Sequence, residues 1–220
     1  MNSLKLGWIF PVFVLLDLIT VIGVGVYQVN SEKNPWHYDK KPIYNRDFSG
    51  GAVMEPKIVK KPAINIVGFA NKTKSNEGEY FKAIPKFWND YYTDGRQEKI
   101  HKELFLKNHK EYGVSFPENP ENGEFDYVIG LEIKKGRDIP KGYHVYTIPE
   151  ALYAVFSTPP ADEAKFISSV QDTWKYILNE WFPKSGYDFT ANGVNFELYD
   201  ERCMRDTDKI VDICIPVVKK

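Results

Sequence analysis

The stretch Val194-Asn195-Phe196-Glu197-Leu198-Tyr199-Asp200 reads as a strand with a carboxylate at its centre. Val194, Phe196 and Leu198 alternate on one face, so Asn195, Glu197 and Tyr199 share the other. With both faces covered, Glu197 is an acid in a poorly hydrated place, where a carboxylate is kept when it is paired, protonated or used. The competing reading is a solvent-facing Glu on an edge strand. The expectation taken forward is that Glu197 faces a cleft and not bulk water.

The surrounding order of elements supports that expectation. Pro149 to Phe156 reads as a strand and Pro160 to Phe182 as one long helix, followed by Pro183-Lys184-Ser185-Gly186-Tyr187, the Glu197 strand, and a closing strand from Ile210 to Val217. In that helix Phe166, Val170, Trp174, Ile177 and Trp181 recur at spacings of three and four, Asp162 and Glu163 favour its first turn, and Pro183 and Gly186 end it. This ordered set, sharpest in the segments EWFPKSGY, FELYDE and DICIPV, resembles the GyrI-like family over roughly Met54 to Val218. That family comprises small-molecule-binding domains that also form the effector-binding half of AraC- and MerR-type regulators. The resemblance implies a SOUL-like fold with a ligand cleft between two halves.

The halves are also visible as a repeat of pattern. Ile64 to Phe69 corresponds to Ala151 to Phe156, and each strand is followed by a loop and an aromatic helix, Glu79 to Tyr92 and Asp162 to Phe182. Each half then supplies two more strands: Tyr112 to Phe116 with Phe125 to Ile133, and Tyr187 to Tyr199 with Ile210 to Val217. The predicted fold class is α+β, with duplicated β-α-β-β units forming two antiparallel sheets, a helix on each and a central cleft. The first helix carries Tyr80, Phe81, Ile84, Phe87, Trp88, Tyr91 and Tyr92, more apolar faces than one sheet covers, so some of its rings should face the cleft.

The amino end differs in kind. Leu6 to Val29 is almost wholly apolar, broken by Asp17, Thr20 and Gln28, and a helix needs roughly 20 such residues to cross a bilayer. It lacks the basic start and small-residue cleavage site of a signal peptide. The chain is therefore expected to contain a transmembrane anchor at 1–29, a polar tether at 30–53 and a GyrI-like domain at 54–220. Lys33, Lys40, Lys41 and Arg46 follow the apolar segment, which places the domain on the cytoplasmic side of a single-pass membrane protein.

Composition narrows the chemistry. The 29 Lys+Arg against 30 Asp+Glu leave a net charge of -1, so no nucleic-acid surface is expected. Five Trp, 14 Tyr and 14 Phe make the chain 15% aromatic, which suits a pocket lined with rings as well as a packed core. Cys203 and Cys214 have no metal-ligand spacing and read as buried thiols. His37, His101, His109 and His144 are scattered and read as surface or loop residues. No cofactor or metal is implied.

The leading function is binding of an amphipathic or cationic organic molecule, as the resemblance to drug-sensing domains implies. Glu197 supplies the counter-charge, and Tyr199, Trp88, Tyr153, Trp174 and Tyr127 supply aromatic walls. Glu132 follows Gly130 at an acidic position often found in the family and joins the ligand-binding set. An alternative is hydrolysis of strained, cyclopropane-bearing electrophiles, with Glu197 as base or nucleophile and Tyr199 as donor. A third is an interaction protein, as in membrane-anchored GyrI-like receptors that carry a long acidic tail; the sequence ends at Lys220 without one, which disfavours that role.

Overall fold

The computed structural model describes residues 54–75, 78–104, 110–134, 136–190 and 193–220. Its strands are β1 (Lys57–Lys61), β2 (Ile64–Lys74), β3 (Glu111–Ser115), β4 (Glu124–Ile133), β5 (His144–Ile148), β6 (Ala151–Ser157), β7 (Tyr187–Phe189), β8 (Asn195–Tyr199) and β9 (Asp212–Lys219). Helices α1 (Tyr80–Thr93) and α2 (Arg96–Leu104) lie between β2 and β3, and α3 (Glu163–Tyr176) follows β6. The α3 helix starts at Asp162, whose side chain accepts the Lys165 amide at 3.0 Å. It widens into one π turn at Ile177–Trp181 before a last short turn at Phe182–Lys184.

The strands form one antiparallel sheet in the order β1-β6-β9-β8-β3-β4-β2-β5, with β7 paired to β9. The repeat is present as β2-α1-β3-β4 and β6-α3-β8-β9, but the expected two sheets are one. The strands at the inner edges of the halves, β3 and β8, pair with each other from Glu111↔Tyr199 to Ser115↔Asn195. Joining them satisfies a row of backbone groups that two separate sheets would leave as open edges.

Two strands absent from the expected repeat finish the sheet. β1 pairs with β6 of the second half, and β5 pairs with β2 of the first. Only Pro62 and Ala63 separate β1 from β2, a distance of roughly 11 Å at most, at about 3.8 Å per Cα step. Yet β1 sits at one end of the strand order and β2 near the other, so the sheet must curl until its ends approach. Gly68 meets β4 so closely that a Cβ there would stand 2.0 Å from the Ile129 carbonyl oxygen, and no side chain fits.

The curl gives the sheet an inside and an outside. Ile66, Tyr112, Val114, Val128, Ile148, Tyr153, Val194, Phe196 and Cys214 pack together on the inside. On the outside, α1 and α2 cover the first half with Phe87, Tyr91, Ile100 and Leu104 against Val67, Tyr127, Ile129 and Leu131. The second half is covered by Ile177 and Phe182 against Ala154, Phe156, Ile213 and Ile215. The seam between the two covered areas is the β3–β8 pair.

The reading of a single-pass membrane protein is corrected. Among the described residues no helix is long and apolar enough to cross a membrane. The segment 6–29 and the tether 30–53 lie outside the described residues.

Candidate functional site

Glu197 stands at the seam. Its β8 partners are Gly113 on β3 and Ile213 on β9, so it occupies the middle of the sheet and points outward, between α1 and α3. The alternation has the expected consequence: Val194 and Phe196 enter the inner core, Leu198 packs against it, and Glu197 and Tyr199 take the opposite face.

Three donors surround the carboxylate. Trp174 Nε1 on α3 donates to Oε1 at 2.7 Å, Tyr199 Oη to Oε2 at 2.8 Å, and Tyr127 Oη on β4 to Oε2 at 3.4 Å. Trp88 on α1 donates through Nε1 to Tyr127 Oη at 2.8 Å and lies 4.8 Å, centroid to centroid, from the Tyr199 ring. Each half of the repeat thus contributes one indole and one phenol.

Gly113 makes this arrangement possible. It is the residue directly opposite Glu197, and a Cβ there would stand 2.2 Å from Tyr127 Oη and 3.1 Å from Trp88 Cζ2. The phenol and indole occupy the space a β3 side chain would fill.

Glu197, Tyr199, Trp88 and Trp174 each keep part of their surface exposed, while Tyr127 is buried. Burial is the largest influence on Glu197 and pushes its carboxyl pKa up; the bonds from Trp174, Tyr199 and Tyr127 pull it back only in part. Burial, then the Glu197 charge, push Tyr127 and Tyr199 well above the usual phenol range, so both remain donors.

A second acid, absent from the sequence-based site, lies beside the first. Glu111 is 3% exposed and opposes Tyr199 across the β3–β8 pair. It accepts from Tyr92 Oη at 2.7 Å and Tyr91 Oη at 3.0 Å, and its Oε1 lies 3.0 Å from His101 Nε2 on α2. Burial opposes its ionisation, but the bonds from His101 and Tyr92, with the His101 charge and the Tyr91 bond, outweigh that and hold its pKa below the ordinary value. His101, expected at the surface, is therefore a partner of a buried acid.

The two acids set opposite pH dependences. Glu197, raised above the ordinary 4.5, stabilises the fold when protonated, a contribution complete below about pH 4.5 and lost as pH rises through its folded value. Glu111, lowered from 4.5, contributes above that pH and loses its contribution as pH falls through its folded value. Urea unfolding across pH should therefore show Glu197→Gln losing less stability than the wild type from acid to neutral pH, with the acid limb of the profile unchanged. Parallel profiles for the two proteins would contradict the assignment.

Of the residues expected in the site, Glu197, Tyr199, Trp88, Trp174 and Tyr127 come together. Tyr153 and Glu132 do not. Tyr153 is buried in the inner core, its hydroxyl within hydrogen-bond reach of both the Pro149 and the Val194 carbonyls, at 3.2 and 3.3 Å. Glu132 shares the inner-face side of β4 with Val128 and accepts from Tyr112 Oη at 2.8 Å. Both lie across the sheet from Glu197 because strand alternation puts their positions on the other face, where Tyr153 is buried and Glu132 is exposed. Cys203 and Cys214 are buried free thiols, each pushed up to about 12 chiefly by burial. Two open depressions of about 580 Å3, one beside Glu98 and Lys102 and one beside Asn65 and Glu132, do not border Glu197.

The duplicated, curled sheet with an aromatic-walled acid at its seam is an α+β domain. Residues 54–218 match the family described as the GyrI-like small molecule binding domain, and the chain belongs to that family. It is 30% identical over 171 residues to the transcriptional regulator BrlR of Pseudomonas aeruginosa, a match covering 74% of this chain and 56% of the regulator. The chain thus spans little more than half the length of that relative, and the relation is to regulator effector-binding domains. The fold is shared with the structure of SAV2435 bound to tetraphenylphosphonium, at 24% identity and a TM-score of 0.57 over 75% of this chain and 94% of that one. It is also shared with an integron cassette protein from the mobile metagenome of Vibrio cholerae, at 16% identity and a TM-score of 0.50 over 74% and 96% of the chains.

Proposed function

We propose that the chain binds a lipophilic organic cation at the seam between α1 and α3, with Glu197 as its counter-charge and Trp88, Trp174, Tyr127 and Tyr199 as its walls. The observation that carries this reading is the carboxylate set among four rings contributed by both halves. Aromatic faces attract cations, and a poorly hydrated acid adds a charge that water does not screen. The kinship with a fold that holds tetraphenylphosphonium in SAV2435 points the same way.

The rings stand close over Glu197, so binding requires them to part. Burial raises the Glu197 pKa, and a cation beside the carboxyl would favour its ionised form. The ligand that suits such an acid is positive.

Titration calorimetry with two ions of matched shape tests the reading. Tetraphenylphosphonium and tetraphenylborate both offer four phenyl rings and differ in the sign of their charge. The phosphonium is expected to bind at least about tenfold more tightly, equivalent to about 1.4 kcal/mol. Equal affinity, or preference for the borate, would remove the counter-charge from Glu197. Consumption of a neutral cyclopropane-bearing substrate, abolished by Glu197→Gln, would instead establish the hydrolytic use of the same acid.

A further inference from the structure

The Glu111 cluster is a group of buried polar side chains that the proposed binding reaction does not use. It joins three elements: Tyr91 and Tyr92 from α1, Gln97 and His101 from α2, and the acid itself from β3. The cluster also touches the rings around Glu197. Tyr92 stacks on Trp88 at 5.9 Å with 22° between the ring planes, and Trp88 lies over Tyr199.

Each phenol has one proton to donate. The Tyr92 proton goes to Glu111 Oε2 at 2.7 Å, and the Tyr91 proton to Oε1 at 3.0 Å. Neither is then available to Glu197, which holds three donors and keeps part of its capacity for a ligand. The same bonds turn both hydroxyls toward β3, which leaves ring faces and not polar tips along the α1 side. Glu111 is thus the acceptor that directs the Tyr92 hydroxyl toward β3.

We propose that Glu111 is a second specificity-determining residue of the cation cleft, a positioning residue that fixes Tyr92 and, through stacking, the indole wall of Trp88. This rests on the cation-binding reading above. His101, Gln97, Tyr91 and Tyr92 are the side chains that face it from α1 and α2, and Tyr199 is its neighbour on β8. Its contribution to binding is orientation; its own charge is held by His101 and the two phenols and is not presented to the ligand.

Three variants of the full chain separate the possibilities: Glu111→Gln, which keeps an acceptor of nearly the same shape; Glu111→Leu, which removes it; and Tyr92→Phe, which deletes only the hydroxyl. Tetraphenylphosphonium affinity is expected to stay within about threefold of wild type for Glu111→Gln and to fall tenfold or more for Glu111→Leu. Tyr92→Phe is expected to lose about five- to tenfold. Near-ultraviolet circular dichroism should follow the same order, since the Trp88–Tyr92 stack produces an asymmetric aromatic signal. If Glu111→Leu does not fold, Tyr92→Phe decides alone.

Equal losses in Glu111→Gln and Glu111→Leu would mean that the charge acts directly, and would overturn the positioning role. Wild-type affinity in Tyr92→Phe would overturn it as well. The underlying reading fails in a different way: the wild type itself would show no preference for phosphonium over borate.

Discussion

Glu197→Gln is expected to lower tetraphenylphosphonium affinity by about 1 to 3 kcal/mol, or roughly 5- to 150-fold, while leaving tetraphenylborate binding unchanged or stronger. The substitution keeps the shape of the side chain and one acceptor for Trp174 Nε1, whose bond to Glu197 is 2.7 Å long. The new amide finds the Tyr199 and Tyr127 hydroxyl oxygens in place as acceptors. Packing is therefore conserved and the change isolates charge. Calorimetry on the wild type and this variant with both ions gives the answer in four titrations. An unchanged phosphonium affinity would make the carboxylate structural and move binding to another surface.

Gly113→Ala is expected to damage fold and site together. The added methyl would stand 2.2 Å from Tyr127 Oη and 3.1 Å from Trp88 Cζ2, well inside contact distance, and Tyr127 is buried against Phe87 with 6.5 Å between ring centroids. Overpacking of this kind costs about 1 to 3 kcal/mol, and relief requires Tyr127 to leave Glu197. Thermal unfolding should show a lower Tm, and phosphonium affinity should fall with it. A variant with wild-type Tm and wild-type affinity would show that β3 can withdraw from the rings without consequence, contrary to the close approach described.

Much of this site was legible in the β8 strand because β8 has one wholly apolar face. Val194, Phe196 and Leu198 could only point into a core, which left Glu197 and Tyr199 for the other side. Trp88 was legible for a related reason, as one of more rings than its helix needed for packing, whereas Trp174 stands in a regular apolar stripe and entered the expected site through the resemblance to drug-sensing domains. Tyr153 was not, since both faces of β6 are covered, by the inner core and by α3, and alternation between two buried faces does not say which one holds the cleft. Glu111 escaped notice for a local reason and a distant one. It stands one position before the apolar alternation of β3, and its partner His101 lies on α2, a helix too polar to register as part of the core. The joining of two sheets into one depends on β3 meeting β8, a pairing between strands some eighty residues apart that no local pattern encodes.

The exchange of edge strands has a consequence for how the chain reaches this state. During synthesis from the amino end β1 emerges first, yet Lys57 pairs with Val155, about a hundred residues later. For all of that interval β1 is a strand with no partner, and contacts so distant in sequence form slowly. Its sequence, Lys57-Ile58-Val59-Lys60-Lys61, carries three ammonium groups around two apolar residues, a composition that discourages strand-to-strand aggregation while the partner is awaited. In the finished fold Lys60 pairs with Glu150 at 2.8 Å; until that partner is made, the like charges of this segment disfavour its pairing with a second copy of itself.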